Sequence, residues 1–323
     1  MNALPALEVR DLTIWLNREG EIFKAVDGVS LSLQAGETLG LIGESGSGKS
    51  LTALSLLQLL PPLARSAGRV NLQGDCIDAL TPAALRSLLG RRIAMIPQDP
   101  MTALNPLFAI GEQLAAPLKN HLGLRGDALQ GRMVELLAAV GISAPVERLE
   151  SYPHELSGGM LQRIVIAMAI SCGPDVLIAD EPTTGLDAVM QAQALDLLAE
   201  LQRGRGMALI LITHDLGVAA RLCRRIAVMY AGKIVEMGLA EDVLSHPRHP
   251  YTRALVAASS PMRTTPRGAL PTIPGAPPSL AEAPCGCAFA PRCSNAIERC
   301  HRESPVETTC ADARTVRCWL AVS

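Results

Sequence analysis

The sequence predicts an α/β fold with a mostly parallel sheet and a small cysteine-rich module at the C-terminal end. Three observations carry this. The short, nearly continuous apolar runs "ETLGLI", "DVLIAD" and "ALILIT" read as strands buried on both faces, and stretches of helical spacing separate them. Ahead of them, "ALEVRDLTIWL" and "VDGVSLSLQ" alternate apolar and polar residues with the period of half-buried antiparallel strands. From about residue 246 the texture turns proline-rich, and Cys285 to Cys300 then packs four of the nine cysteines into sixteen residues.

Taken in order, the two alternating segments form a first antiparallel layer, and "ETLGLI" follows Gly36 as a buried strand. It runs into "GESGSGKS" and then "LTALSLLQLL", whose leucines recur at helical spacing. Residues of about 99–172 read as mostly helical, with "ALQGRMVELLAAVG" and "LQRIVIAMAIS" the clearest pieces. The helical "AVMQAQALDLLAELQRG" separates "DVLIAD" from "ALILIT", and "RIAVMYAGKIVEMG" reads as a hairpin turning at Ala231-Gly232. The predicted division is a main domain over 1–245 and a tail over 246–323. That tail holds one short helix near Tyr251 to Ala258, a wrap-around linker and the cysteine module.

A chain of 323 residues exceeds the usual single-domain size, which favours one large domain plus an appendage. Its 29 basic and 31 acidic residues nearly cancel and aromatics make up only 2%, so neither charge nor base-stacking surface points to nucleic acid. No basic segment leads into an apolar core at the N-terminus, and no apolar run reaches 18 residues. The expectation is a cytosolic protein, where persistent disulfides are rare. Hydrophobic content of 49% adds a weak hint of a buried partner surface.

The segment from Gly43 through Glu44, Ser45, Gly46, Ser47, Gly48, Lys49 and Ser50 to Leu51 contains G-x-x-x-x-G-K-[ST] between a buried strand and a helix. Glycines there let successive backbone N–H groups turn inward onto phosphate oxygens, and the helix offers its positive end to the same charge. Lys49 is expected to reach the β- and γ-phosphates of a nucleotide and Ser50 to ligate Mg²⁺. The bland alternative is a glycine-rich turn capping a helix. Asp180 and Glu181 end the strand "DVLIAD", which places two carboxylates at the carboxyl edge of the sheet. Asp180 is expected to hold Mg²⁺ and Glu181 to polarise an attacking water. Gln98 and His214 end two further apolar strands and are expected at the same edge. Gln98 would complete the metal shell or position water, and His214 would contact the γ-phosphate.

Leu156, Ser157, Gly158, Gly159 and Met160 begin a helix about 24 residues before Asp180 and resemble the signature of ABC-type ATP-binding subunits. With the phosphate loop, Gln98, "LIADEP", "GLD" at Gly185–Asp187 and His214, the family's elements appear in order over roughly residues 7–245. The resemblance implies a P-loop NTPase with a RecA-like core sheet, an antiparallel β subdomain and a helical signature subdomain. It implies a head-to-tail dimer in which Ser157, Gly158, Gly159 and Met160 bind the ATP of the opposite subunit, with Asp187 at the seam and Phe23 stacking on adenine. "MIPQDPMTALNP", "HPRHPYTRAL" and "IPGAPPSL" further resemble the oligopeptide/dipeptide/nickel importer branch. Met160 is usual there, and "GGMLQR" looks closest to the nickel type. Gly185 departs from a more common Ala.

This branch implies ATP hydrolysis coupled to import of peptides or nickel complexes at the cytoplasmic face of the plasma membrane. The implied partners are two transmembrane permease subunits, a second paralogous ATPase subunit and, indirectly, an extracellular solute-binding protein. A soluble ABC ATPase of DNA repair or translation is a rival. It would carry two cassettes or a long coiled-coil insertion, and neither is seen.

Disulfide, zinc, iron–sulfur cluster and accident all compete for the cysteines. Zinc favours close C-x₂₋₄-C pairs, whereas Cys287 and Cys293 enclose five residues and Cys293 and Cys300 six. Cys287, Cys293, Cys300 and Cys318 resemble the tail cysteines of dipeptide-type importer ATPases, some of which hold a [4Fe–4S] cluster. Cys285 and Cys310 are alternates. The implied role is a staple for a tail too small to build its own core, with a redox sensor as the sharper version.

Overall fold

The computed structural model describes residues 4–259, 272–279 and 285–321, so the proline-rich 260–271 and 280–284 lie outside the described residues. The chain divides into two compact units. One consists of Glu8–Ser32, Thr38–Asn71 and Leu211–Ser323; the other is mainly Leu72–Ile210, joined by Leu33–Glu37 and the N-terminal residues to Leu7.

In the first unit, strand Leu7–Arg18 lies between Glu21–Leu33 and Ala64–Leu72. The alternation read from sequence has a structural cause, since Val9, Leu12 and Ile14 point into the core while Arg10 and Asp11 face out. A second sheet runs, from its edge, through Thr308–Thr309, Thr315–Val316, Lys233–Leu239 and Arg225–Tyr230 to Thr38–Ile42. Thr38–Ile42 and Arg225–Tyr230 are parallel, with Leu39 opposite Arg225 and Ile42 opposite Val228. Arg225–Tyr230 and Lys233–Leu239 form the expected hairpin. Both turn residues, Ala231 and Gly232, have positive φ, at 45° and 80°. That is the twist-matched two-residue turn, and a Cβ on Gly232 would stand 2.7 Å from the Ala25 carbonyl.

The helix after the phosphate loop spans only Lys49–Leu56, shorter than the leucine pattern suggests. Gln58, at φ 55°, turns the chain away, and Leu59 remains exposed. The tail does more than wrap. Thr315–Val316 extends the sheet antiparallel to Lys233–Leu239, with Val316 opposite Glu236. Glu236 is fully buried and accepts the N–H groups of Arg248 and His249, each at 2.9 Å. This carboxylate organises "HPRHPY" and sets the start of helix Pro250–Ser259, the short helix expected near Tyr251. Burial pushes the His249 imidazole down to about 3, so it stays neutral and its Nδ1 accepts the Tyr251 N–H at 3.0 Å.

In the second unit, Ile93–Ile96 and Val176–Asp180 pair in parallel, Ile93 opposite Val176 and Ile96 opposite Ala179. Val176 to Ala179 are wholly buried, which explains their unbroken apolar run. The helical region read at 99–172 contains helices Ile110–Leu122, Gly126–Ala139, Pro145–Glu150 and Gly158–Ile170, with a short turn of helix at Pro100–Ala103. Helix Ala188–Arg205 follows, closed by Gly206 at φ 62°. Among the described residues no helix is long and apolar enough to cross a membrane.

Candidate active site

The phosphate loop lies in the first unit between strand Thr38–Ile42 and helix Lys49–Leu56. Its shape depends on glycine at two positions. Gly43 has φ 154°, and a Cβ there would sit on the Met229 carbonyl. Gly48 has φ 104°, and its Cβ would stand 2.9 Å from the Ala25 carbonyl. The backbone is thus pressed against a neighbouring strand and turns its inner face to the loop. Lys49 is buried, and its Nζ donates to the carbonyls of Gly43 and Glu44 at 2.8 and 2.9 Å and to Ser47 Oγ at 3.4 Å. No side chain caps the N-terminus of helix Lys49–Leu56, so its first N–H groups suit an anion. Donor set, cradle and buried ammonium all fit a polyphosphate.

Ser45, Gly46 and Ser50 are exposed, and Leu51 is half-buried. Ser45 and Gly46 help line a cavity of about 650 Å³ together with the half-buried Phe23 and with Pro277, Pro278 and Ser279 of the tail. Phe23 therefore lies beside the phosphate loop, while its neighbour Ile22 is 69% exposed. His214 is exposed at the end of strand Ala208–Thr213, and the following Asp215 caps helix Leu216–Leu222.

The second unit holds the other predicted residues. Gln98 and Glu181 meet directly, the Gln98 amide donating to Glu181 Oε2 at 3.1 Å. Thr184 Oγ1 donates to the same oxygen at 3.0 Å. Glu181 is a non-glycine residue at φ 46°, a strained backbone of the kind that collects at functional sites. Asp180, one residue earlier, is buried. Asp187 caps helix Ala188–Arg205 by accepting the N–H groups of Val189 and Met190 at 3.0 and 2.9 Å. Ser157 caps Gly158–Ile170 and accepts the Met160 N–H at 3.4 Å. Ser157 and Gly158 are exposed, Met160 is half-buried and Gly159 is buried against Met190. The signature therefore presents its helix start to solvent.

Cys287, Cys293, Cys300 and Cys318 surround one small cavity in the first unit, walled also by His249, Phe289 and Trp319. Cys285 and Cys310 are not among its walls. Burial raises the thiols of Cys287, Cys293 and Cys318 above the ordinary range. Among the described residues, no three His, Cys, Asp or Glu side chains gather closely enough to hold one metal ion. The four cysteines border this one small cavity together with apolar and aromatic neighbours. Cys223 is a different case: it is packed beneath Gly40, its thiol pushed up to about 12 by burial.

Sequence reasoning missed the residues that hold the phosphate loop from the tail side. Tyr251 Oη accepts the Glu44 N–H at 2.9 Å. Arg292 donates to both Glu44 carboxylate oxygens, at 2.7 and 3.0 Å, and to Tyr230 Oη at 3.2 Å. The rings of Tyr230, Tyr251 and Phe289 pack together with centroids 4.5 to 5.4 Å apart. Three of the few aromatics gathered at one place, and an arginine between two cysteines, were the signals available.

Comparison with known proteins agrees with this geometry. The model of the ABC transporter family matches residues 26–184, and that of the oligopeptide/dipeptide transporter C-terminal region matches 235–300. The dipeptide transport ATP-binding protein DppD of Bacillus subtilis is 46% identical over 97% of this chain and 94% of its own length. The protein of the same name from Escherichia coli is 44% identical over 97% and 95%. Among solved structures, the ATP-binding cassette MJ0796, described as a post-hydrolysis dimer bound to ADP and Pi, superposes with a TM-score of 0.65. It is 27% identical and covers 72% of this chain and 98% of its own. The phosphate loop, the Gln98–Glu181 pair, the signature helix and these near full-length matches together show that the chain belongs to the ABC transporter family, as an ATP-binding subunit of its oligopeptide/dipeptide branch.

Proposed function

We propose that this chain hydrolyses ATP to drive import of di- or oligopeptides through a membrane ABC importer. The observation that carries the reading is the near full-length similarity to dipeptide transport ATP-binding proteins, combined with a phosphate loop whose buried Lys49 faces its own cradle. Peptide is the cargo proposed; the relatives described above are named for dipeptides, and none of them favours the nickel alternative.

The roles follow from each residue's chemistry. Gly43, Glu44, Ser45, Gly46, Ser47, Gly48 and Leu51 shape the cradle, and Lys49 neutralises β- and γ-phosphate charge. Phe23 offers a ring face to the base. The family's motif pattern assigns Mg²⁺ to Ser50, Gln98 and Asp180, and the ion when bound neutralises charge on the phosphates. Glu181, oriented by Gln98 and Thr184, takes a proton from the attacking water as its oxygen bonds to the γ-phosphorus, the bridging bond from that phosphorus to the ADP oxygen breaks, and phosphate and ADP leave. His214 holds that water on the phosphate side. Ser157, Gly158, Gly159 and Met160 serve the nucleotide of a second, paralogous subunit, with Asp187 at the seam.

Met101, Leu107 and Phe108 follow Gln98 and are exposed, at 54%, 80% and 49%. This apolar stretch is the proposed seat of the permease pair and supports the reading of a chain bound peripherally at the cytoplasmic membrane face. Residues 246–323 act as a distinct tail, stapled by a [4Fe–4S] cluster on Cys287, Cys293, Cys300 and Cys318. When bound, the cluster supplies four iron–thiolate bonds and a one-electron couple. Iron and acid-labile sulfide assays on anaerobically purified protein test it. About four of each per chain support the cluster; neither, or stoichiometric zinc, overturns it.

The catalytic reading is tested with Glu181→Gln. Turnover is expected to fall by about 10²- to 10⁴-fold while ATP binding persists. Unchanged turnover removes Glu181 from the mechanism. Co-purification should recover two hydrophobic permeases and a related ATPase; recovery of nucleic acid instead would favour the soluble rival.

A further inference from the structure

Two side chains of the tail, Tyr251 and Arg292, bond to the phosphate loop, and Arg292 makes the larger set of bonds. Arg292 directly precedes Cys293, a wall of the cysteine cavity, and its guanidinium bonds to the phosphate loop. Its side chain is only 5% exposed, yet it makes four hydrogen bonds. Two form a bidentate pair with the Glu44 carboxylate at 2.7 and 3.0 Å, the second residue of the phosphate loop. A third goes to Tyr230 Oη, and the fourth runs from Nε to the Pro274 carbonyl at 2.8 Å. Pro274 lies three residues before Pro277, which with Pro278, Ser279 and Phe23 helps line the 650 Å³ cavity.

A buried guanidinium needs every one of these partners, and a two-pronged carboxylate pair fixes direction as well as distance. The Glu44 backbone is held on the same side, through its N–H to Tyr251. Glu44 thus has both its main chain and its side chain tied to residues outside the phosphate loop, while its carbonyl receives Lys49. Any drift of Arg292 is passed to the carbonyl that Lys49 uses and to the wall formed by the tail.

We infer that Arg292 is a positioning residue for the nucleotide: it sets the phosphate loop through Glu44 and the base-side wall through Pro274, so the tail preorganises ATP binding. The inference rests on the reading of Gly43–Leu51 as an ATP site. It assigns to the tail a task in affinity, apart from any cluster it holds.

The test uses the full-length chain and compares Arg292→Gln, Arg292→Lys, Glu44→Gln and the Arg292→Gln/Glu44→Gln double variant. Dissociation constants for a fluorescent ATP analogue, KM, kcat and the nucleotide-free melting temperature are measured on each. Arg292→Gln is expected to raise Kd and KM about tenfold with kcat within about twofold, because saturation restores the bound geometry. Arg292→Lys, which keeps the charge and loses the fork, should fall between wild type and Arg292→Gln. The double variant should be no weaker than the weaker single one, since both remove the same link. If Arg292→Gln does not fold, the Arg292→Lys and Glu44→Gln results decide alone. Unchanged Kd, additive losses, or a fall in kcat and melting temperature at constant KM would overturn the inference. A wild-type chain that binds no nucleotide overturns the ATP-site reading and this inference with it. A wild type that binds while the variants match it overturns the inference alone.

Discussion

Gly43 and Gly159 both belong to motifs for which phosphate binding is proposed, yet a methyl group meets a different obstacle at each. At Gly43 it would strike the Met229 carbonyl, part of a buried strand that cannot retreat, and φ is 154°. At Gly159 it would meet the terminal methyl of Met190, the far end of a flexible side chain. Gly43→Ala is therefore expected to destabilise the fold by at least about 2 kcal/mol and abolish ATP binding. Gly159→Ala should cost under about 1 kcal/mol in thermal melts. Equal melting temperatures for the two variants would contradict this account. Lys49, Glu181 and the signature glycines were legible in the sequence because motif chemistry demands those residue types at that spacing. Arg292 and Tyr251 were not, because a contact across 248 or 207 positions leaves no local pattern.

At the scale of elements, the tail is held by charge as much as by strand pairing. Arg314 donates to the carbonyls of Asp242 and His246 at 2.9 and 2.8 Å and to Asp312 at 2.7 Å, and Arg248 also reaches Asp312. The Arg314 guanidinium holds the Asp312 carboxyl down to about 2, below its ordinary 3.8. A depressed carboxylate contributes stability fully above its unfolded value and loses it as pH falls through the folded one. Tail anchoring is thus expected to be intact above pH of about 4 and to weaken between about 4 and 2. Trp319 emission in a Trp15→Phe background should follow that loss, and Asp312→Asn should flatten it. A transition unchanged by Asp312→Asn would remove this ion pair from tail anchoring. The strands and helices themselves were readable from period and turn chemistry; the hairpin at Ala231-Gly232 is an instance. The edge strand Thr315–Val316 was not, since two residues carry no period, and what places it is its pairing with Glu236 and Met237.

For the molecule as a whole, the signature helix starts at exposed Ser157 and Gly158, and Val189, two residues beyond Asp187, is 66% exposed. In the proposed head-to-tail dimer these exposed groups would face the second subunit. Glu181→Gln with ATP and the paralogous subunit should roughly double the mass seen by light scattering, because hydrolysis no longer reopens the dimer. Without nucleotide both chains should remain monomers. A Glu181→Gln variant that binds ATP yet stays monomeric would sink the head-to-tail arrangement.

The sequence by itself determined the α/β class, the order of the motifs and the residue types of the hydrolytic chemistry. Those depend on local spacing and on what phosphate and water require. Only the tertiary structure decided that four cysteines enclose one cavity, that Phe23 shares a cavity with the phosphate loop, and that Arg292 ties that loop to the tail. Those facts rest on long-range packing around buried charge, where a partner is chosen by shape and desolvation, not by its position along the chain.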